Sequence, residues 1–498
     1  MDIKGAIGIR DRPKLIALVL GPLIFAIIRW AVHPEGMSAE ANAVLACTLW
    51  IAFWWITEAI PISVTSLLPI ILFPLSGAMD ISTTTAAFGH RFVFLFLGGF
   101  LLAIAIERWN LHKRIALNII NLIGTNIKFI ILGFMVATAF LSMWISNTAT
   151  SVMILPIGIA IITQLKDNPD TRENETEIFG KALMLAIAYS ASIGGIGTLI
   201  GTPPNLVLAG IIQELYQVEV TFLSWMKFGV PTSVVLLFIS WKYLTGIRFS
   251  FPQQSFPGGK AEIDRQLKKL GNINYEEKMV LLVFIFTALA WILRSLVLDK
   301  LIPGIDDTII ALTAGVALFI LPARKSANRR LLNWEEAVKL PWGILLLFGG
   351  GMALAQGFQE SGLAEWIGTQ ISILEGAPLL ILLLVLVFAT NFLTEITSNL
   401  ATAAMSLPIL AAVSIALDVH PYILMVGVTV AASCAFMLPV ATPPNAVVFG
   451  SGYLRIMDMV RSGIWMNLIS VILVTLATYF LLPYLWEFNA FFFPEELK

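Results

Sequence analysis

Two strings of uncharged polar residues each occur twice in this chain, in the same order. Ser146-Asn147-Thr148-Ala149-Thr150 faces Ser398-Asn399-Leu400-Ala401-Thr402 at an offset of 252 residues. Downstream, Gly201-Thr202-Pro203-Pro204-Asn205 is matched by Ala441-Thr442-Pro443-Pro444-Asn445. Hydroxyl, amide and backbone oxygens without a carboxylate make a neutral cage suited to sodium, whereas a hard divalent cation would want carboxylates. Proline removes a backbone donor and frees carbonyls one turn earlier, and Gly194-Gly195-Ile196-Gly197 loosens the stretch ahead of the first Pro-Pro. A helix that restarts after such a break offers bare N–H groups and partial positive charge to an anion. The chemistry on offer is therefore cation sites beside an anion site.

The elements that must position these residues lie in lipid. Of 498 residues, 58% are hydrophobic and 13% are charged, against about 25% charged in a soluble chain. Apolar runs at 15–32, 279–293 and 464–482 approach or reach bilayer-spanning length. The chain is an all-α polytopic membrane protein, and a soluble enzyme is excluded. Its net charge of −1 argues against nucleic acid as a partner. Cys47 and Cys434 sit in apolar stretches and are expected to pack rather than pair. The run 15–32 lacks a small-residue cleavage site and reads as a retained first helix.

Polar breaks divide the chain into about eleven spans plus two awkward segments. With the N-terminus inside, alternating connections place 25 of the 31 basic residues inside, from Lys4, Arg10, Arg12 and Lys14 to Arg455 and Arg461. Arg29, Arg91, Lys227, Arg294, Lys300 and Lys498 are the six left outside. The positive-inside rule then sets a cytoplasmic N-terminus and an external C-terminus. The sequon Asn174-Glu175-Thr176 falls inside, where it is not glycosylated.

The two awkward segments carry the Ser-Asn strings. Segment 129–165 is too long to cross once, and crossing twice would place the basic residues outside. A re-entrant hairpin turning at Ser146-Asn147 resolves this, with 379–417 as its partner turning at Ser398-Asn399. Backbone turned inside the membrane is tolerated only against protein or a watery cavity. An odd number of crossings between the strings makes the repeat inverted, with the site expected at the repeat interface. Gly98-Gly99 and Gly349-Gly350-Gly351 are expected to serve close helix packing. Glu395, three residues before Ser398, could pair, titrate or orient the tip, and a structural hydrogen bond is the favoured reading. His90, His112 and His420 show no metal-binding spacing.

The paired motifs, with Thr394-Glu395-Ile396-Thr397-Ser398-Asn399 and Leu438-Pro439-Val440-Ala441-Thr442-Pro443-Pro444-Asn445, resemble the divalent anion:sodium symporter family, the sodium/dicarboxylate cotransporters. The resemblance covers nearly the whole chain. It implies one sodium site from Ser142, Ser146, Asn147 and the Gly201 carbonyl, and a second from Thr394, Thr397, Asn399 and the Ala441 carbonyl. It implies substrate carboxylates near Asn147, Thr148, Thr202, Ser398, Asn399 and Pro443. It further implies a homodimer working by an elevator mechanism. The scaffold would be 1–125 and 277–375, with a cytoplasmic connection at 241–276. The transport domain would be 126–240, including a broken helix at 180–214, and 376–498, including a broken helix at 421–453.

Leu400 departs from the first half, where Thr148 stands, so one hydroxyl is lost and methyl surface gained. That bears on the choice among dicarboxylates, citrate and other anions. No basic residue lies in either motif. A buried dianion without compensation costs many kcal/mol, and at least two sodium ions can neutralise it. A third would make transport electrogenic, each net charge gaining about 2.3 kcal/mol per 100 mV. The expected function is sodium-coupled uptake of C4-dicarboxylates (succinate, malate, fumarate) by a non-enzymatic carrier without an organic cofactor. The expected location is a bacterial inner membrane, in contact with lipid. A sodium-independent dicarboxylate or citrate exchanger, a sulfate or other oxyanion symporter, and an antiporter centred on Glu395 remain alternatives. An intramembrane hydrolase would need a motif such as His-Glu-x-x-His, which is absent.

Overall fold

A computed structural model describes residues 12–124, 126–166, 173–251, 259–324, 329–370 and 376–497. Lys4, Arg10, Arg172, Lys325 and Lys498 of the charge count lie outside the described residues, as do the side chains of Arg12, Asn174 and Lys260. The described residues form an all-helical protein, relieved only by an isolated bridge between Pro322 and Arg330. Among them, 9 helices are long and apolar enough to cross a membrane, and shorter apolar helices include Ile127–Ser142, Asp307–Ile320, Leu379–Leu393 and Pro421–Ala432. Backbone groups in a bilayer must bond within their own segment, which is why helices alone fill the structure.

The order of elements repeats as the motifs do. In the first half, helix Arg91–Arg108 is followed by Leu111–Ile123, Ile127–Ser142, Asn147–Lys166, Glu173–Gly195, Pro203–Tyr216 and Phe222–Lys242. In the second, Trp342–Glu360 is followed by Leu363–Gln370, Leu379–Leu393, Asn399–Ala416, Pro421–Ala432, Pro443–Phe449 and Ile456–Leu476. Each Ser-Asn string thus falls between two helices, and each Thr-Pro-Pro-Asn string opens the shorter segment of a broken one.

Helices Glu173–Gly195 and Pro421–Ala432 form the centre. Pro421–Ala432 is apolar and buried throughout, and Glu173–Gly195 is buried at every residue from Ala182 onward, as apolar helices must be in a packed interior. The Asn147 helix runs antiparallel along the first of them. Asn147 lies beside Gly195, Gly158 beneath Met184 and Ile187, and Ile162 beside Gly180. The first helix, Arg12–Ala31, is by contrast mostly exposed along its apolar length, as a lipid-facing helix would be.

An ion cluster ties the loop after Pro203–Tyr216 to neighbouring helices. Arg294 makes two 2.8 Å hydrogen bonds to the Glu219 carboxylate and stands 3.4 Å from Asp307. Asp307 accepts from the Phe222 backbone N–H at 2.8 Å. Arg91 donates to Gln213 at 2.6 Å and lies 3.6 Å from Glu219. Arg294 and Asp307 are buried, so each needs the other's charge.

The glycine pairs pack closely, as their composition suggests, and each pair faces two ways. A Cβ on Gly98 would sit 2.5 Å from the Ala311 carbonyl carbon, and one on Gly350 2.6 Å from the Ser66 carbonyl oxygen. Gly99 and Gly351 instead face Ile200 and Ala404, where a Cβ would find 3.5 and 3.0 Å. Gly98→Ala is therefore expected to lower the melting temperature in detergent. Its overpacking cost of about 1–3 kcal/mol exceeds the roughly 1 kcal/mol that alanine gains in helix propensity. Gly99→Ala is expected to melt at or above the wild-type temperature, and a lower value would contradict the packing described.

Candidate functional site

Each Ser-Asn turn is held by a hydroxyl five residues before its asparagine. Ser142 Oγ lies 2.5 Å from the Asn147 carboxamide and 2.7 Å from the Ala191 carbonyl oxygen. In the second half Thr394 Oγ1 lies 2.7 Å from Asn399 Oδ1 and 2.9 Å from the Ala432 carbonyl oxygen. Ser142 and Thr394 are both fully buried. One atom of the Asn147 carboxamide is ringed by three oxygens: Ser142 Oγ at 2.5 Å, Gly201 O at 3.2 Å and Ala191 O at 3.2 Å. Ser146 and Ser398 cap the helices that follow, accepting from the N–H groups of Ala149 at 3.3 Å and Ala401 at 3.5 Å. Thr397 is otherwise engaged. Its hydroxyl donates to the Leu393 carbonyl at 2.9 Å and lies 2.6 Å from Thr402 Oγ1.

The two breaks are built alike. Thr202 and Thr442 are N-caps in extended conformation, each followed by two prolines at the first helical positions. Proline there removes N–H groups that would have no helical partner, and presets the helical φ. Thr442 Oγ1 accepts from the Asn445 N–H at 3.3 Å, whereas the Thr202 side chain makes no capping bond. Asn205 Nδ2 donates to the carbonyls of Gly195 at 3.2 Å, Ile196 at 3.4 Å and Thr198 at 2.8 Å. Asn445 Nδ2 does likewise to Ala435 at 3.3 Å and Leu438 at 2.9 Å. The oxygens of both amides are buried and have no hydrogen-bond partner among the described residues. These asparagines keep the unwound backbone from collapsing, since a buried carbonyl without a donor is costly.

All four motifs line one cavity of about 700 Å³. The first half contributes Ser146, Asn147, Thr148, Gly201 and Thr202. The second contributes Thr397, Ser398, Asn399, Ala441 and Pro443. Ser142 and Thr394 stand behind this wall, reaching it through Asn147 and Asn399. Four helices begin at the cavity, at Asn147, Pro203, Asn399 and Pro443. Each brings the positive end of its dipole. Leu400 also faces the cavity, opposite in the repeat to exposed Thr148.

The family model for the sodium:sulfate symporter transmembrane region matches residues 12–486. The chain belongs to this family. Relatives include the sodium-dependent dicarboxylate transporter SdcS of Staphylococcus saprophyticus, 49% identical over 94% of this chain and 92% of the relative. The protein of the same name from Staphylococcus aureus is 50% identical over 94% of this chain and 91% of its own. Among solved structures, Alcanivorax borkumensis YdaH, described as a transporter, matches with a TM-score of 0.58 at 13% identity, covering 94% of this chain and 98% of its own. Neisseria gonorrhoeae MtrF, described with a class of antimetabolite efflux pumps, matches with a TM-score of 0.56 at 13% identity, covering 97% and 96%. The structural likenesses bear on the fold alone. Membership of this family, with the apolar helices, makes the chain an integral membrane protein.

The repeated strings do not account for the whole cavity wall. Lys14, Thr57, Glu58, Ser63 and Pro341 line it from outside the repeated strings. Glu58 ends helix Ala39–Thr57 in a left-handed conformation, φ 46°. Nothing local in the sequence marks these positions; only tertiary packing brings them to the wall. Among the described residues no group of three or more His, Cys, Asp or Glu side chains is placed to hold a metal.

Glu395 does not line the cavity. It is buried, and its Oε1 accepts from the backbone N–H groups of Phe436 at 2.8 Å and Met437 at 2.9 Å and from Asn467 Nδ2 at 2.7 Å. Its Oε2 accepts from the Leu438 N–H at 2.9 Å. The carboxylate therefore holds the unwound loop that leads to Thr442, the structural role favoured from sequence. Glu395→Gln keeps one acceptor but turns an amide N–H₂ toward the Leu438 N–H. It is expected to cost about 1.5–3 kcal/mol, read as a lower melting temperature of the purified protein. Wild-type stability would show that the carboxylate does not hold this loop.

Proposed function

We propose that the protein is a sodium-coupled secondary transporter that takes up C4-dicarboxylates such as succinate, malate and fumarate. The observation that carries this reading is the meeting of four helix N-termini at one cavity whose motifs contain no basic side chain. Such termini attract an anion. A dianion in this cavity still needs countercharge, because the one basic residue on its wall, Lys14, is matched there by Glu58, and the two Ser/Thr-Asn-carbonyl clusters beside it are suited to supply sodium.

The Asn147 carboxamide stands 2.5 Å from Ser142 Oγ and 3.2 Å from the carbonyl oxygens of Gly201 and Ala191. Without a cation its N–H₂ faces these three oxygens and donates to them; a half-turn of the amide would bring its oxygen there instead and give a cation four oxygen ligands. We assign sodium to Ser142, Ser146, Asn147 and Gly201 in one half, and to Thr394, Asn399 and Ala441 in the other. Thr397 belongs to the second site only if its bond to Thr402 gives way. The substrate carboxylates would rest against Asn147, Thr148, Thr202, Ser398, Asn399 and Pro443. The relatives' names, which state sodium dependence and dicarboxylates, agree with this reading.

The two Ser-Asn turns are read as tips of re-entrant hairpins, and the repeat as inverted. The cavity is lined by Lys14, Glu58 and Pro341, near the ends that the charge pattern places inside, so the site opens inward. The Arg294–Glu219–Asp307 cluster then lies outside, fastening the transport segment 126–240 to the scaffold, and it must part for an elevator movement. A homodimer in a bacterial inner membrane, with cytoplasmic N-terminus, completes the reading.

Uptake of labelled succinate into proteoliposomes, with and without an inward sodium gradient, tests the function. Sodium-driven accumulation is expected. Uptake that ignores sodium and requires internal dicarboxylate would replace symport by exchange. Asn147→Ala and Asn399→Ala are each expected to abolish sodium-driven uptake, and wild-type transport by either would remove that residue from the site.

A further inference from the structure

A second pocket lies away from the transport site, where two apolar helices end. Helix Phe222–Lys242 continues as a π-helical segment, Tyr243–Arg248, beside the first turns of helix Ile456–Leu476. Between them is a pocket of about 400 Å³, lined by Tyr243, Ile247, Arg248, Arg461, Ile464 and Trp465. Two of these six are arginines, and none is acidic. Neither arginine pairs with a carboxylate among the described residues.

Arg248 is held in place. Its Nε donates to Ser462 Oγ at 2.8 Å, and the Tyr243 hydroxyl donates to the Ser462 carbonyl at 3.0 Å. That leaves both terminal amino groups of the guanidinium for a ligand. Arg461 is exposed, and its side chain makes no hydrogen bond or ion pair among the described residues. Beside this charge, Ile247 is 81% exposed and Trp465 58% exposed. Unpaired guanidinium groups next to bare aliphatic and indole surface suit a place that is wet on one side and hydrocarbon on the other.

We infer that this pocket binds the headgroup of an anionic phospholipid. The phosphodiester oxygens match the planar donor fork of arginine, and an acyl chain would run along Ile247, Ile464 and Trp465. A zwitterionic headgroup would bring an ammonium toward two guanidinium groups with no carboxylate to receive it. A free phosphate would leave the apolar wall uncovered. Basic pockets between helices on the cytoplasmic side are a known means of anionic headgroup recognition, and the charge pattern places Arg248 and Arg461 on that side. The inference does not depend on which anion is transported.

Native mass spectrometry of the purified full chain, given equal dioleoylphosphatidylglycerol and dioleoylphosphatidylcholine, tests it. Preferential retention of phosphatidylglycerol is expected. Arg461→Gln, which removes a side chain without internal bonds, should lower that retention about 5-fold, and Arg248→Gln combined with it about 25-fold. Lys113→Gln, an exposed base elsewhere on the same side, should leave it unchanged. Equal retention of both lipids, wild-type retention by Arg461→Gln, or an equal loss in Lys113→Gln would overturn the lipid site. So would displacement of the lipid by inorganic phosphate at matching concentration, which would mark a site for soluble anions.

Discussion

A charged solute inside a bilayer must find its countercharge in the protein or bring it along. The architecture is organised around that requirement. Four helices begin at one cavity, and the chain is twice unwound and twice turned so that they can. The two termini that follow Pro-Pro carry dipole but few free N–H groups, because proline has none. Thr202 and Thr442 put hydroxyls at the same places. The other two termini keep their N–H groups and carry asparagine at the first helical position. In the proposed mechanism the anion would meet field from backbone dipoles and donors from short polar side chains, with full positive charge left to the coupling ions.

Unwinding helices in lipid creates its own difficulty, since freed carbonyls need partners. Asn205 and Asn445 solve it identically, each lending its amide N–H₂ to carbonyls of the preceding turn. The glycine pairs solve the opposite problem of bringing helices close. Gly98 and Gly350 accept neighbouring backbone or small side chains, while Gly99 and Gly351 present nearly flat surface to Ile200 and Ala404. A flat surface without interlocking side chains is the kind of contact along which packed segments can shift.

Much of this was legible from the sequence because the motifs are doubled. A lone Ser-Asn or Pro-Pro has ordinary explanations, whereas two different strings repeated in order do not, and they marked out the cavity wall and the helix boundaries around it. Ser142 and Thr394 entered only through the family resemblance, and the structure places them behind the wall, bonded to Asn147 and Asn399. Lys14, Glu58 and Ser63 were illegible, because no local pattern says which scaffold residues a broken helix will face. The hydroxyl bond between Thr397 and Thr402 was equally hidden. It depends on how the helical turn between them is set, which spacing alone does not determine.

The halves share their oxygens but not their braces. Glu395 corresponds, at the offset of 252, to Met143. Where the second half clamps its loop with a carboxylate on three successive N–H groups, the first uses the Thr198 hydroxyl on the Met143 carbonyl and the close approach of Gly195 to Gly201. One brace is ionic and the other is neutral and compact. The two Ser/Thr-Asn-carbonyl clusters therefore match in what they present and differ in what supports them, so each is free to drift in stiffness without its twin.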